Sequence, residues 1–302
     1  MSDAPARGSI ELPRRFGRYE LCLELAAGGM ASVYLARTVG VGDFEKWIAV
    51  KCIHPHLARE KAFVSMFLDE ARLASRVSHP NVCNVFDVGQ EDGTYYIAME
   101  FLDGRPLHHV IRAVVRKSDE AIDERWPDII AHIIGTAAEG LHAAHELCGR
   151  DGLPLHVVHR DVSPQNLFVT YEGAVRVVDF GIAKAVDRLH ESTTGSLKGK
   201  LGYMAPEQAR SEPGVDRRVD VWALGVTLWE ALARRRLFKR DSTVATIDAV
   251  LNHPIVAPSH FQPGVPEGLD AIVLRALCRE PDERYATARE FSTALRRYAS
   301  ER

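Results

Sequence analysis

At 302 residues the chain has room for one large domain or two lobes. Its 46% hydrophobic and 26% charged residues are those of an ordinary soluble globular protein, which excludes disorder, collagen-like repetition and a membrane-embedded chain. With 38 basic against 41 acidic residues the formal net charge is −3, too near neutrality for a nucleic-acid coat or an acidic-lipid anchor. The five cysteines, at 22, 52, 83, 148 and 278, make no CxxC pair, so neither a disulfide framework nor a zinc knuckle is read from them. They suit small buried side chains in a reducing compartment. Met1 to Arg15 is polar and interrupted by prolines, unlike a signal peptide. No run approaches about 18 consecutive apolar residues, so no membrane span is expected and a cytoplasmic location is.

Residues 1–16 read as a flexible leader. From Tyr19 to Ile53 come three β-type runs, YELCLEL, ASVYLAR and WIAVKCI, with glycines among them. Phe63, Phe67, Glu70, Ala74 and Val77 then recur every three or four residues, the spacing of one helix face. Two more strand-like pieces, around VCNVFDV and TYYIAMEF, flank a turn at Glu91-Asp92-Gly93. Beyond about Leu102 the pattern turns helical. Ile129, Ile130, Ile133, Ile134, Ala137, Leu141 and Ala144 form a wide apolar stripe. Two short strands (NLFVT and AVRVVDF) meet at Glu172-Gly173, and Val219 to Ala233 is apolar nearly all round, as in a helix buried on every side. Leu269, Ile272, Val273, Ala276 and Leu277 mark a further amphipathic helix. The expected organisation is a β-rich lobe over 17–102 and an α-rich lobe over 103–302. Residues 112–127 and Cys148 to His156 read as surface insertions, the second with an Asp151-Gly152 turn.

Several residues suggest chemistry. The turn around Gly28-Gly29, at the end of a strand, would let backbone N–H groups approach a phosphate, or is a plain hairpin. Strand alternation puts Lys51 and Ala49 on one face, and Ile48 and Val50 on the other. Glu70 falls on the inward stripe of its helix, where an unpaired carboxylate is costly; Lys51 is the obvious cation to meet it, unless Glu70 is half exposed at the stripe edge. Asp161 and Asn166 lie five residues apart on a proline-containing segment. Asp179 closes the apolar strand Val175 to Val178, with Gly181 two residues on, which suits a metal ligand on movable backbone.

Taken in order, these pieces resemble the signature set of the protein-kinase superfamily: Gly-rich loop, strand lysine, helix glutamate, H-R-D-x-x-x-x-N, D-F-G and A-P-E. Here they are residues 26–33, Lys51, Glu70, His159 to Asn166, Asp179 to Gly181, and Ala205-Pro206-Glu207. The match runs from about Phe16 to Tyr298, and GGMASVYLA, HPNV and YMAPEQ look like bacterial Hanks-type serine/threonine kinases. The resemblance implies an α+β, bilobal protein-kinase-like fold: a small antiparallel β N-lobe with one main helix and a larger α-helical C-lobe.

The resemblance also implies an ATP- and Mg2+-dependent serine/threonine kinase acting on protein substrates. ATP would lie between the lobes, its phosphates under Ala26, Ala27, Gly28, Gly29, Met30, Ala31, Ser32 and Val33. Leu25, Val33 and Ala49 would cover the adenine and Phe168 would lie beneath it. Met99 would back the pocket, and Glu100 to Leu102 would form the hinge. Lys51, oriented by Glu70, would hold the α- and β-phosphates; Asp179 and Asn166 would ligate Mg2+, and Asp161 would accept the substrate's proton. Glu207 would pair with Arg284, and Asp220 would cap the catalytic loop. Arg160 would answer to a phosphate on the activation segment, with Thr194 the first expected phosphosite, Thr193 next, then Ser192 and Ser196. A homodimer for autophosphorylation is compatible with this reading; nucleic acid and membrane are not expected partners of this chain.

The chain departs from the family pattern in three places. Ala26 and Ala31 replace the first and third loop glycines; an alanine at positive φ would cost on the order of 1 kcal/mol, so the loop either avoids those dihedrals or binds ATP more weakly. Ser163 stands where most serine/threonine kinases have a lysine, and Gly199-Lys200 stands where they have Gly-Thr. Lys200 is therefore expected to supply, from the facing side, the charge missing at 163, with Ser163 contributing a hydroxyl; the rival is a solvated lysine beside Lys198. The functional alternatives are a pseudokinase or nucleotide-binding scaffold without transfer, a small-molecule kinase of the aminoglycoside type, and tyrosine specificity, which the missing lysine at 163 leaves open.

Overall fold

The computed structural model of the chain describes residues 12–39, 45–116, 124–180 and 200–300. They fall into two compact units, one of residues 1–71 and 84–102, the other of 72–83 and 103–302.

The first unit is built on an antiparallel sheet of six strands: β1 (Arg14–Phe16), β2 (Tyr19–Ala27), β3 (Ala31–Val39), β4 (Glu45–Ile53), β5 (Val85–Glu91) and β6 (Thr94–Glu100). They lie in the order β1-β2-β3-β4-β6-β5. Alternation along β4 sorts its side chains as the sequence suggests. Ile48, Val50 and Cys52 join a core with Phe16, Tyr19, Leu21, Tyr34, Ala36 and Ala98. Ile53 joins a separate cluster with Ile97 and with Phe67 and Ala71 of α1 (Lys61–Ala74). Asp92 and Gly93 both take positive φ, 48° and 77°, which gives the β5–β6 hairpin its tight turn.

The leader expectation needs correction. Arg14 pairs with Leu21 and Phe16 with Tyr19, so residues 14–16 are an edge strand. Phe16 is buried, and its ring meets Tyr96 edge-on at 5.4 Å. Gly17, at φ 56°, turns the chain between the two strands.

The second unit carries a three-stranded sheet, β7 (Gly104–Pro106), β8 (Leu167–Thr170) and β9 (Val175–Val177). Its helices are α2 (Leu107–Arg116), α3 (Trp126–His145), α4 (Pro206–Ala209), α5 (Arg218–Ala233), α6 (Thr243–Asn252), α7 (Glu267–Ala276) and α8 (Ala288–Ser300). Every residue of α5 from Val219 to Ala233 is buried, as its all-round apolar text requires. The α3 stripe also forms, except that Ile129 is 42% exposed. Among the described residues no helix is long and apolar enough to cross a membrane.

Two boundaries move. Residues 72–83 belong with the second unit, because Cys83 and Asn81 clasp β9: Cys83 N–H donates to Val177 O at 2.9 Å and Val177 N–H to Asn81 O at 2.8 Å. Gly140 of α3 admits this segment, since a Cβ there would stand 2.5 Å from Asn81 O. The two ends of the insertion read over 112–127 are regular structure: 112–116 continue α2, and Trp126 and Pro127 are buried at the start of α3. The Trp126 indole N–H donates to Ala231 O at 3.0 Å. The 148–156 loop is the closed turn expected, with Gly152 at φ 77° and Leu153 N–H bonded to Asp151 Oδ1 at 3.1 Å.

Candidate active site

The predicted residues assemble into two groups, one in each unit. In the first unit the β2–β3 hairpin carries residues 26–33. Gly28 N–H donates to Ala31 O at 2.9 Å, and His54, just past β4, pins the tip from behind: its N–H donates to Met30 O and its Nε2 meets Gly28 O, each at 2.9 Å. Neither Ala26 nor Ala31 has a positive φ. The loop avoids the costly dihedrals, and strain gives no reason to expect weakened nucleotide binding. Pairing shifts register between Glu24 and Ala26, so Leu25 sits at a bulge and is 43% exposed.

On β4, Lys51 pairs with Val33 on one side and Ile97 on the other, while Ala49 pairs with Leu35 and Met99. Lys51 Nζ lies 3.2 Å from Glu70 Oε1, and the two side chains are 16% and 15% exposed. Each charge thus offsets part of the other's desolvation penalty. Glu100 N–H donates to Asn84 O at 2.8 Å, and its carboxylate accepts from Asn84 Nδ2 at 3.2 Å, which joins the start of β5 to the end of β6. Met99, Glu100 and Leu102 close the first unit's run of predicted positions.

In the second unit the loop from His159 to Asn166 is built over α5. Asp220 is fully buried; its Oδ1 accepts the Arg160 N–H at 2.8 Å, and its Oδ2 accepts the His159 N–H and His145 Nε2–H, each at 2.8 Å. Burial alone would raise this carboxyl's pKa, but the hydrogen bond and charge of His145 and the backbone N–H of His159 bring it below its ordinary value. The three donors brace a strained backbone, for Arg160 has φ 62°. Asp179 also takes a positive φ, 54°, next to Phe180, whose buried ring lies 4.8 Å from the His159 ring.

His159 shows its protonation state by its partners. Its Nε2 faces Val178 O at 3.2 Å and its Nδ1 faces the Asp161 N–H at 3.3 Å, so Nε2 donates and Nδ1 accepts in a neutral ring. Burial pushes the His159 pKa below 6.5, against the opposing charges of Asp220 and Asp161. A folded state with a depressed histidine and a depressed carboxyl binds fewer protons than the unfolded chain, so both contribute stability that falls as pH falls. The carboxyl's share is lost only below its ordinary value of 3.8, and the histidine's as pH falls past 6.5. The melting temperature is therefore expected to drop from about pH 7.5 to about pH 5.5 through the histidine, and the drop to shrink in His159→Gln, as followed by circular dichroism.

Asp161 is the hub of the group. Asn166 Nδ2 donates to its backbone O at 2.8 Å and to its Oδ2 at 3.0 Å. Lys200 Nζ reaches the same Oδ2 at 2.8 Å, with the two side chains 21% and 9% exposed. Lys200 is therefore not the solvated lysine of the rival reading. Among the described residues the buried Ser163 hydroxyl has no hydrogen-bond partner, so it is not part of this contact. Val178 N–H donates to Asn166 O at 3.0 Å, which places Asp179 one residue from the Asn166 backbone. The carboxylate of Asp179 and the amide oxygen of Asn166 are hard oxygen donors, the chemistry a magnesium ion requires. Phe168 lies on β8 opposite Arg176 and Pro106.

Arg284 grips Glu207 with two parallel bonds, Nη1 to Oε1 at 2.6 Å and Nη2 to Oε2 at 2.8 Å. It also donates to the carbonyls of Cys278 and Arg279 and covers the Trp222 ring at 5.0 Å. Ser192, Thr193, Thr194 and Ser196, together with Gly181, lie outside the described residues. Sequence reasoning missed His145 and Glu230. Glu230 accepts from the Tyr203 hydroxyl at 2.7 Å and from Leu237 N–H at 3.1 Å, and so holds the segment just before Ala205. Its signal was an acid within an all-apolar helix.

A family model described as a protein kinase domain matches residues 19–294. The chain is 45% identical over 294 residues to a Myxococcus xanthus protein named tyrosine-protein kinase MasK, a match covering 97% of this chain and 45% of that protein. It is 32% identical over 283 residues to serine/threonine-protein kinase PrkC of Bacillus subtilis, covering 93% and 40%. The chain thus spans less than half the length of these two relatives. The crystal structure of the PknI kinase domain of Mycobacterium tuberculosis is similar at a TM-score of 0.67 and 27% identity, over 96% of this chain and 99% of that one.

Proposed function

The chain belongs to the protein kinase domain family, and on that premise we propose that it transfers the γ-phosphoryl group of ATP to serine and threonine hydroxyls of proteins. The observation that carries this reading is the second unit's group, in which Asp161 is held by Asn166 and Lys200 on a loop anchored by Asp220. Mg2+ supplies charge neutralisation on the nucleotide's phosphate oxygens; Asn166 and Asp179 are the residues to hold it. Lys51, steadied by Glu70, holds the α- and β-phosphates under the residue 26–33 hairpin. Leu25, Val33, Ala49, Met99, Glu100 and Leu102 of the first unit serve the adenine. Asp161 aims the substrate hydroxyl and takes its proton as the new oxygen–phosphorus bond forms and the bond to ADP breaks. Lys200 adds positive charge beside that oxygen, in place of the lysine absent at 163.

The nucleotide-binding scaffold alternative finds no support, because Lys51, Glu70, Asp161, Asn166 and Asp179 are all in place. A tyrosine hydroxyl is the second acceptor to consider, since the 45% identical relative is named a tyrosine kinase and position 163 lacks its lysine. Incubation with ATP and Mg2+, followed by mass spectrometry, tests the assignment. Phosphate is expected on Thr194, with Thr193, Ser192 and Ser196 behind it, and none in Asp161→Asn. Modification confined to tyrosines would replace the serine/threonine reading; an unmodified chain that also leaves protein substrates untouched would end the kinase reading.

A further inference from the structure

The tip of the residue 26–33 hairpin is shaped by a side chain from outside it. None of these residues takes a positive φ, so no left-handed turn residue sets the course of the tip. Hydrogen bonds set it instead. Gly28 N–H donates to Ala31 O across the hairpin, and the other two bonds come from His54, in the residue just past β4. The His54 backbone N–H donates to Met30 O at 2.9 Å, and its Nε2 faces Gly28 O at 2.9 Å. A carbonyl oxygen only accepts, so Nε2 carries the proton of that bond. The ring of His56 stacks on that of His54, with centroids 5.7 Å apart and planes 15° from parallel, which limits how the donor can turn. In a trans peptide the C=O and the following N–H point in opposite directions. With Gly28 O turned toward His54, the N–H of Gly29 is turned away from it. A Cβ on Gly29 would meet no atom within 4 Å, so a ligand can come close to this backbone.

We propose that His54 is a positioning residue for the nucleotide: its Nε2–H holds the Gly28–Gly29 peptide so that the Gly29 N–H donates to a phosphate oxygen of ATP. This role rests on the ATP-binding reading above and adds to it a residue outside the family's signature motifs. Ala26 and Ala31 have less backbone freedom than the glycines they replace, so the hairpin is less able to adjust its N–H groups around a phosphate as it arrives. A side-chain bond that orients the peptide beforehand removes that need, because a donor already in place costs no further ordering on binding. The effect falls on the phosphates and not on the adenine, which is served by Leu25, Val33, Ala49 and the end of β6. His54 is given no contact with the reacting oxygen, so the transfer step itself does not depend on it.

Calorimetric titration of the whole chain with Mg-ATP, and separately with adenosine, tests this on the wild type, His54→Ala and His54→Gln. Adenosine reads the base site alone, so it separates a lost phosphate contact from a general loosening of the sheet. His54→Ala is expected to weaken Mg-ATP about five- to ten-fold and adenosine by less than about two-fold. In steady-state assays its KM for ATP should rise by a similar factor, with kcat within about two-fold of wild type. His54→Gln keeps an N–H donor on a side chain of similar reach and should recover most of the affinity. Both variants keep the backbone bond from residue 54 to Met30 O, so the hairpin itself persists. Three results would overturn the role of His54 and leave the kinase reading standing: unchanged Mg-ATP affinity in His54→Ala, an equal loss of ATP and adenosine, or no recovery in His54→Gln. A wild-type chain that binds neither compound would overturn both.

Discussion

Lys200→Ala is expected to lower kcat by about two to three orders of magnitude while the affinity for Mg-ATP changes little. The magnitude is that of deleting one preorganised group aimed at charge that develops in a transition state. Lys200 sits 2.8 Å from the Oδ2 of Asp161, the oxygen that Asn166 also binds, and both side chains are mostly withdrawn from water. An ion pair so placed acts at the reacting hydroxyl and not at the adenine, so kcat and nucleotide affinity should separate. Lys200→Arg, which keeps the charge, should recover part of the rate. Stopped-flow phosphotransfer with a nucleotide-binding titration reads both quantities. A kcat within a few-fold of wild type would mean that Lys200 merely packs against Asp161.

Asp220→Ala carries the second large effect, on stability and rate together. It removes the acceptor for three donors at once, the backbone N–H groups of His159 and Arg160 and the Nε2–H of His145. Unsatisfied buried donors cost about 1–3 kcal/mol each, so a loss of roughly 3–9 kcal/mol is expected, with a fall in melting temperature of about 10 °C or more. Arg160 also loses the brace for its positive φ, so any folded fraction should phosphorylate slowly. Chemical denaturation and an assay of the folded fraction check the two parts. A loss under about 1 kcal/mol would show that water or a neighbouring group can replace the carboxylate.

What could be read from the sequence was what carries a local cost or a periodic signal. Glu70 stood out because a carboxylate on an apolar stripe needs a cation, and Lys51 supplies it. The all-apolar text of α5 announced a buried helix, while the part of Asp220 as a buried acceptor within it came from the family resemblance. His145 could not be told apart in the same way: a histidine on an apolar helix face has the spacing of a core residue whether or not it holds a carboxylate. β1 is three residues long, too short for alternation to register, and its burial depends on the ring of Tyr96, distant in sequence. The attachment of 72–83 to β9 is a tertiary choice made by backbone groups, which leave no trace in residue type. Residues 112–116, read as part of an insertion that lengthens the link to α3, instead continue α2.

The most direct test of the account is transfer of label from γ-phosphate-labelled ATP to protein by the wild-type chain and by Asp161→Asn, with Mg-ATP binding measured on both. The account predicts labelled phosphoserine or phosphothreonine with the wild type, at least about a thousand-fold less with the variant, and similar nucleotide affinity for the two. Equal labelling by both proteins, or nucleotide binding without transfer by the wild type, would contradict it.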